Sequence, residues 1–425
     1  MYRFVSFIVE ILKKILPAPI VRPFLKPYHF IMALSFAIIH GFPAKRMVVL
    51  GVTGTKGKST VSEMLFAILR AAGHTTALAS TIRFAVNDES KPNQFKMTMQ
   101  GRGHLQDFLG SARRRGATHA VVEITSEGTR EFRNAFLFLN GLIVTNIARE
   151  HIESHGSFEN YVAAKRSIVN TLEQSPKQDR VLVANGANEH TKPFLDANVP
   201  HTFPFSLSEL DDVHATETSV SFSYKNTAFT LPLPGLFNAE NALAAIKITE
   251  QFGVDLETAQ KALAHLEPVR GRVERVEAGQ SFGVIVDYAH TPDSLEALYG
   301  AFPDRRKVCV LGNTGGGRDT WKRPLMGSIA DKACDVVILT NEDPYDEDPM
   351  KIVQEMAEGM ARPPIIEMDR RTAIRRAYAE AKEGDVVLIS GKGTDPYIMG
   401  ADGTKTPWSD ARVAHEELTE FLKQN

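Results

Sequence analysis

Two cysteines in 425 residues, Cys309 and Cys334, supply neither a disulfide framework nor the repeated CxxC spacing of a zinc site. Both sit in or beside apolar segments, so the expectation is a pair of buried thiols in a reducing cytoplasm. An excess of one charge is also missing. The 49 Lys+Arg and 51 Asp+Glu leave a formal net charge of -2, so global charge does not argue for a nucleic-acid partner. No apolar run reaches the ~20 residues of a membrane-spanning helix. No small-residue cleavage site marks a signal peptide, and no repeats or low-complexity tracts appear. What is there is ordinary globular composition, 43% hydrophobic and 24% charged, in a chain long enough for about two to three domains.

The first 46 residues stand apart. Arg3–Leu16 carries apolar residues at helical spacing, with Lys13 and Lys14 on it. Prolines follow at Pro17, Pro19, Pro23 and Pro27, and Tyr28–Phe42 is strongly apolar but holds His29 and His40. Two readings are open: a helical arm packed on the body or on a second subunit, or an interfacial helix at a membrane surface, which the amphipathic, basic first segment suits.

Beyond residue 46, short apolar runs alternate with helical patterns. Met47–Leu50, Ala120–Ile124, Gly141–Asn146, Arg180–Ala184, Gly283–Asp287, Lys307–Leu311, Val336–Thr340 and Asp385–Ser390 read as strands. Val61–Ala72, Asn160–Glu173, Ala239–Phe252 and Met350–Ala361 read as helices. That alternation predicts an α/β fold with largely parallel sheets. Thr216–Leu233 alternates polar and apolar residues and predicts a small antiparallel section. A composition break at Glu267–Arg272 precedes a fresh strand–loop–helix series. The expected organisation is an arm over 1–46, a central domain over 47–268 and a Rossmann-like C-terminal domain over 269–425.

The most specific stretch is Gly51–Thr60, GVTGTKGKST, between the first strand and the first helix. Strand, glycine-rich turn and helix form the context of a phosphate-binding loop. Backbone N–H groups of Gly54, Thr55, Lys56 and Gly57 would face phosphate oxygens at a helix N-terminus. Lys58 would reach the outer phosphates, and the Ser59 or Thr60 hydroxyl would bind magnesium. The strict pattern has glycine where this chain has Val52. Read alone, the loop predicts a nucleoside triphosphate and leaves its use open.

Other candidates lie at predicted strand ends, where open α/β sheets bind ligands. Glu123 ends one strand, and His151 follows another, with Lys165 beyond it. A carboxylate and an imidazole beside a phosphate loop suit a metal that offsets phosphate charge. Asn238 and Asn241 open a helix after Gly235, and either helix capping or hydrogen bonds to a base explains them. A strand delivers Asp287 and His290, and Pro292 starts the next helix. Three further loops suit a substrate with anionic groups: Gly312–Asp319 with Arg318, followed by Lys322 and Arg323; Asn341–Tyr345 with Glu342, Asp343 and Tyr345; and Ser390–Asp395 with Gly391, Thr394 and Asp395.

Taken together, the order and content of these motifs over roughly 47–425 resemble the Mur ligase family, ATP-dependent amide-forming ligases of cell-wall peptide synthesis, with folate polyglutamate ligases as cousins. The loop Gly54–Thr60, the run Thr145–Lys165, Asp287–Ser294 and Lys322–Gly327 fall in the family's order. The phrases Asp287–Pro292 and Gly391–Gly393 are most similar to the members that add the third residue of the stem peptide. The resemblance implies that ATP phosphorylates a substrate carboxylate and that an amino acid's amine then displaces phosphate. Lys58 and magnesium would offset γ-phosphate charge. Glu123 and His151 would hold a second magnesium together with Lys165, which matches a lysine that the family carbamylates. Asn238 and Asn241 would lie near adenine, Arg272, Asp287 and His290 near the nucleotide where two domains close, and Lys322 and Arg323 near phosphates and substrate. The implied partners are ATP, an amino acid and a muramoyl-peptide acceptor, in a cytoplasmic monomer or weak dimer that touches the inner face of the membrane through 1–46.

The chain departs from the family in places. Only 46 residues precede the first strand, where the family usually carries about a hundred that hold a UDP group, so UDP-linked and membrane-linked acceptors are both open. The family's amino-acid-selecting Asp-Asn-Pro-Arg aligns with Glu342-Asp343-Pro344-Tyr345, without the arginine that clamps a distal carboxylate, which argues against diaminopimelate. Gly-Lys-Gly-His-Glu becomes Gly391-Lys392-Gly393-Thr394-Asp395, and Glu127 stands where histidine is frequent. One rival is a related ligase acting on a folate, polyglutamate or lipid-linked wall precursor. Another, from a different class, is a nucleotide-regulated scaffold that has lost chemistry; the retention of Lys58, Glu123, His151 and Lys165 opposes it.

Overall fold

A computed structural model describes residues 18–424 apart from 96, 102, 150–154 and 318. The predicted segment Arg3–Leu16 and two candidate site residues, His151 and Arg318, lie outside the described residues.

The first sheet holds β1 (Val48–Thr53), β2 (Thr76–Ala79), β3 (Arg83–Val86), β4 (Glu89–Pro92), β5 (His119–Glu123), β6 (Gly141–Val144), β7 (Val181–Asn185) and β8 (His201–Phe205), in spatial order β4-β3-β2-β5-β1-β6-β7-β8. The six strands from β2 to β8 in that order are parallel, and β3 and β4 extend one edge antiparallel. Both faces of β1 are covered, which is why it reads VVLGVT with no polar alternation. Leu50 and Val52 join a core shared with the helices Lys58–Ala71, Leu236–Glu250 and Leu256–Ala264. Val49, pointing the other way, joins a core shared with His104–Arg114 and Phe158–Glu173. The alternating stretch Thr216–Leu233 forms β10 (Val220–Tyr224) and β11 (Thr227–Leu231) of an antiparallel section, and β9 (Asp211–Ala215), just ahead of it, adds a third strand that the sequence reading missed.

The second large sheet holds β12 (Glu274–Arg275), β13 (Gly283–Asp287), β14 (Lys307–Leu311), β15 (Val336–Leu339), β16 (Ile365–Ile366) and β17 (Val386–Ser390), ordered β12-β13-β17-β14-β15-β16. All are parallel except β12. Cores on both faces give the Rossmann-like layering that the sequence predicts. A hairpin of β18 (Tyr397–Met399) and β19 (Lys405–Pro407) follows.

Ahead of the body, one helix spans Ala18–Ile39 and takes in Pro19, Pro23 and Pro27. Pro19 falls in the first turn, where its missing N–H is not needed; the other two each remove one helical hydrogen bond. Met32, Ala33 and Ala37 are buried against the body. Gly103 and Gly110 make room for this contact, because a Cβ there would meet the Phe36 and His40 side chains at 2.2 and 2.6 Å. His40 Nε2 lies 3.2 Å from Asp107. Among the described residues no helix is long and apolar enough to cross a membrane.

One expectation is overturned. Cys309 and Cys334 are not separate thiols but a disulfide. Cys309 lies inside β14, Cys334 ends the helix Lys322–Ala333 that packs on that strand, and their Cα atoms are 6.2 Å apart. Sequence spacing could not reveal a pairing set by a strand–helix crossover of 25 residues.

Candidate active site

The carboxyl ends of both parallel sheets open on one cleft of about 1860 Å³. Apart from Arg323 and Thr394, every predicted site residue among those described lines it.

The loop after β1 is held open by its surroundings. Thr55 N donates to Asn146 O at 2.8 Å and Lys56 N to Asn146 Oδ1 at 2.9 Å. Thr145 Oγ1 donates to Lys56 O at 2.6 Å. Gly54 and Gly57 have φ of 146° and 81°, values that favour glycine; a Cβ on Gly57 would also meet Asn241 Oδ1 at 2.4 Å. Gly57 caps the helix Lys58–Ala71 with no side-chain hydrogen bond, so the helix N-terminus is left to an anionic ligand. Lys58 Nζ donates to Thr55 O at 2.8 Å.

Beside the loop, Glu123 ends β5, fully covered. Its Oε2 accepts from Ser59 Oγ at 3.1 Å and from Thr81 N at 2.9 Å, and its Oε1 accepts from Thr81 Oγ1 at 2.9 Å. Thr81, which the sequence reading missed, fixes the carboxylate. Lys165 is buried on Phe158–Glu173, with Nζ donating to Gly54 O at 2.8 Å and to Thr53 Oγ1 at 3.4 Å. Tyr161, one helical turn earlier, bonds Thr55 Oγ1 at 2.9 Å. Among the described residues no three Asp, Glu, His or Cys side chains cluster as metal ligands. The adjacent Ser59 hydroxyl and Glu123 carboxylate are hard oxygen donors of the kind magnesium takes.

Asn238 is not the helix cap. The cap is Gly235, and Asn238 lies in the first turn, donating to Pro234 O at 2.7 Å and accepting from Asn241 Nδ2 at 3.2 Å. Asn241 thereby packs on Gly57.

The second sheet closes the cleft. Arg272 Nη2 reaches Ser59 Oγ at 3.5 Å, and its guanidinium lies 4.6 Å from the Tyr288 ring centroid. Asp287 accepts from Val273 N and Ala289 N, each at 2.7 Å. Burial pushes its carboxyl up, against the pull of Arg272 and those two donors. His290 Nδ1 sits 2.6 Å from Tyr288 O, and Lys322 Nζ donates to His290 O at 3.0 Å. Arg323 turns away instead: 1% exposed, it pairs with Glu355 at 2.6 Å and Glu347 at 2.7 Å, which occupy its fork. On the adjoining loops, Lys392 Nζ grips both Asp343 oxygens at 2.8 and 2.9 Å, and Thr314 Oγ1 donates to Glu342 Oε1 at 2.9 Å.

Two family models match this chain, the Mur ligase middle domain over residues 52–249 and the Mur ligase glutamate ligase domain over 271–393. A UDP-N-acetylmuramoyl-L-alanyl-D-glutamate–2,6-diaminopimelate ligase of Syntrophomonas wolfei is 35% identical over 409 residues, covering 92% of this chain and 82% of the relative. The chain belongs to the Mur ligase family. A UDP-N-acetylmuramyl-tripeptide synthetase of a Roseiflexus species is also 35% identical, over 91% of this chain and 81% of the relative. A solved diaminopimelate ligase structure superposes with a TM-score of 0.60 at 27% identity, over 89% of this chain and 79% of the other. As a Mur ligase, this is an ATP-dependent enzyme that forms amide bonds between a carboxylate and an amine. The uncapped loop and Lys58 are thus set against the strand-end loops of the second sheet across a single cleft.

Proposed function

We propose that this Mur ligase adds an amino acid to a muramoyl-peptide acceptor in peptidoglycan synthesis, with 47–268 as the ATP-binding domain and 269–425 as the domain that brings the amino acid. The observation that carries this reading is the convergence of the loop Gly54–Thr60, Glu123 and Lys165 with Arg272, Asp287 and the Glu342–Tyr345 loop on one cleft. The acceptor carboxylate attacks the γ-phosphorus of ATP, ADP departs, and an acyl phosphate results. The incoming amine then attacks the acyl carbon, loses a proton, and expels inorganic phosphate. Phosphorylation is needed because oxide is a poor leaving group. Lys58 and the loop N–H groups follow the migrating charge, while Arg272 ties the second domain to Ser59 at the same place.

Ser59 and Glu123 would hold magnesium, which supplies charge neutralisation at the transferring phosphate. Lys165 fits the carbamate role on its burial and on its neighbours, a carbonyl and a hydroxyl. An uncharged amine there takes up carbon dioxide, releases a proton and becomes an anion able to join a second magnesium site with Glu123 and His151. Asn238 and Asn241, which line the cleft, would border the adenine.

A cytoplasmic enzyme resting on the membrane through 1–46 is the reading that the arm supports. Its outer face exposes Phe30, Ile31, Ile38 and Ile39, next to exposed Lys45 and Arg46, a combination suited to an anionic bilayer surface. The same helix brings Leu25 and His29 to the cleft, which Phe95 and Met97 also line; the apolar side chains among them favour a lipid-linked acceptor as a second reading. Phosphate release from ATP, measured across amino acids with UDP-muramoyl dipeptide and with a lipid-linked counterpart, tests both. No acceptor-dependent release with either acceptor and any amino acid would sink the muramoyl reading.

A further inference from the structure

The loop from the short helix Ser126–Arg130 to β6 turns a row of phenylalanines toward the arm. Phe132, Phe136 and Phe138 have φ of 54°, 63° and 45°, a left-handed backbone that disfavours a side chain and suits glycine. Rings kept at that cost are kept for what they contact. They meet the arm in a continuous ladder. Phe30 lies 5.6 Å from Phe132 and 5.7 Å from Phe136, and Phe42 lies 5.8 Å from Phe136 and 6.2 Å from Phe138, centroid to centroid. Rings that served only to hold the arm would be closed from water, as Met32, Ala33 and Ala37 are. Instead Phe30 and Phe132 are exposed and the other three are half-buried. The ladder has a cation at each end. At one, Lys45 Nζ sits 4.7 Å from the Phe42 centroid and 5.4 Å from that of Phe138. At the other, Arg130 and Arg133, which flank Phe132 in the chain, line the cleft together with Leu25 of the arm. Arg133 pairs with Glu131 and donates to Met99 O at 2.5 Å. An apolar strip thus leads away from the cleft beside two guanidinium groups.

We propose that this aromatic row seats the hydrocarbon chain of an acceptor carried on a lipid diphosphate, with the diphosphate at the lip of the cleft. This rests on the lipid-linked reading above and gives the carrier a place on the protein. The arm rises about 1.5 Å per residue, so Phe30–Ile39 offers a track of roughly 14 Å. A chain laid on half-open rings covers apolar surface that water otherwise wets, and it leaves no polar group unsatisfied. Arg130 and Arg133 bring the charge that a diphosphate needs. A uridine carrier would stack on one ring and leave the rest of the row wet.

The test is calorimetric binding of farnesyl diphosphate, UDP and inorganic diphosphate to the full chain, with a non-hydrolysable ATP analogue and magnesium saturating the loop Gly54–Thr60. Farnesyl diphosphate should bind at least tenfold more tightly than either of the others. Phe132→Gly with Phe136→Gly suits the left-handed backbone at both positions, so the double variant should fold as the wild type does and lose most of that preference. Equal binding of inorganic diphosphate, equal or tighter binding of UDP, an unchanged preference in the double variant, or no farnesyl diphosphate binding at high micromolar concentration would each overturn the proposal. Should the double variant not fold, Phe30→Ser supplies the second arm: it should weaken farnesyl diphosphate about tenfold and leave inorganic diphosphate unchanged, and no weakening would count against the row. Farnesyl diphosphate that binds in this way, in a protein that releases no phosphate from ATP with either acceptor, would fault the muramoyl reading and leave the seat standing.

Discussion

The ammonium of Lys165 donates to the carbonyl oxygen of Gly54 at 2.8 Å, across 111 residues of sequence, which places a buried lysine against the turn that would cradle ATP. If Lys165 serves as a carbamate, Lys165→Ala should lower turnover on the order of 10²–10³-fold or more. Bicarbonate cannot restore it, but a short carboxylic acid should rescue part of the loss by standing in for the anion. Full activity of Lys165→Ala in a phosphate-release assay would refute the assignment.

Glu123 is fastened by Thr81 on one side and faces Ser59 on the other. Glu123→Gln keeps an acceptor for Thr81 but removes the charge. The magnesium concentration giving half-maximal rate should rise about 10–100-fold, with little change in melting temperature. An unaltered magnesium titration would remove Glu123 from the metal site.

His119 stacks on His74 with ring centroids 3.9 Å apart, at the start of β5. Burial, with the His74 ring beside it, lowers its pKa from 6.5 to about 4. The unfolded chain therefore binds a proton that the folded chain does not between pH 6.5 and 4. Stability from this site is complete above pH 6.5 and falls as pH drops toward 4. Denaturant titrations should show His119→Phe flattening that decline; a decline of unchanged slope would locate the acid sensitivity elsewhere.

The disulfide closes a loop of 25 residues, for which chain-entropy arguments give about 3 kcal/mol. Reducing agent, or Cys309→Ala with Cys334→Ala, should lower the melting temperature by several degrees. Two thiols titrating in protein unfolded without reductant would show that the bond does not form.

What the sequence discloses here is what is local. The apolar runs that end in Glu123, Asp287 and Ser390 are short strands with buried interiors, and their ends mark the cleft because parallel sheets gather ligands there. The glycine loop is legible because its constraints sit within ten residues. Contacts that need the folded topology are not legible. Thr81 holds Glu123 from 42 residues away, and Tyr161 reaches Thr55 across 106. Arg323 reads as a ligand in a basic loop, yet Glu347 and Glu355 claim it from a neighbouring turn and helix. The prolines of the arm suggest interruption, while glycines at 103 and 110, far along the chain, receive the helix.

That arm divides its side chains between two environments. Ala37 is fully buried, whereas Ile31 and Ile38, seven residues apart and so on one face, are 57% and 58% exposed. Burying one such side chain in a bilayer interface is worth about 1.5–3 kcal/mol, or roughly a tenfold change in partition per residue. Ile31→Glu with Ile38→Glu should therefore cut binding to vesicles containing anionic phosphatidylglycerol by at least tenfold, without altering ATP affinity. High salt should weaken what Lys45 and Arg46 contribute. If wild type and the double variant sediment equally with these vesicles, the exposed face is not a membrane surface, and the arm serves only to pack on the helix His104–Arg114 beneath it.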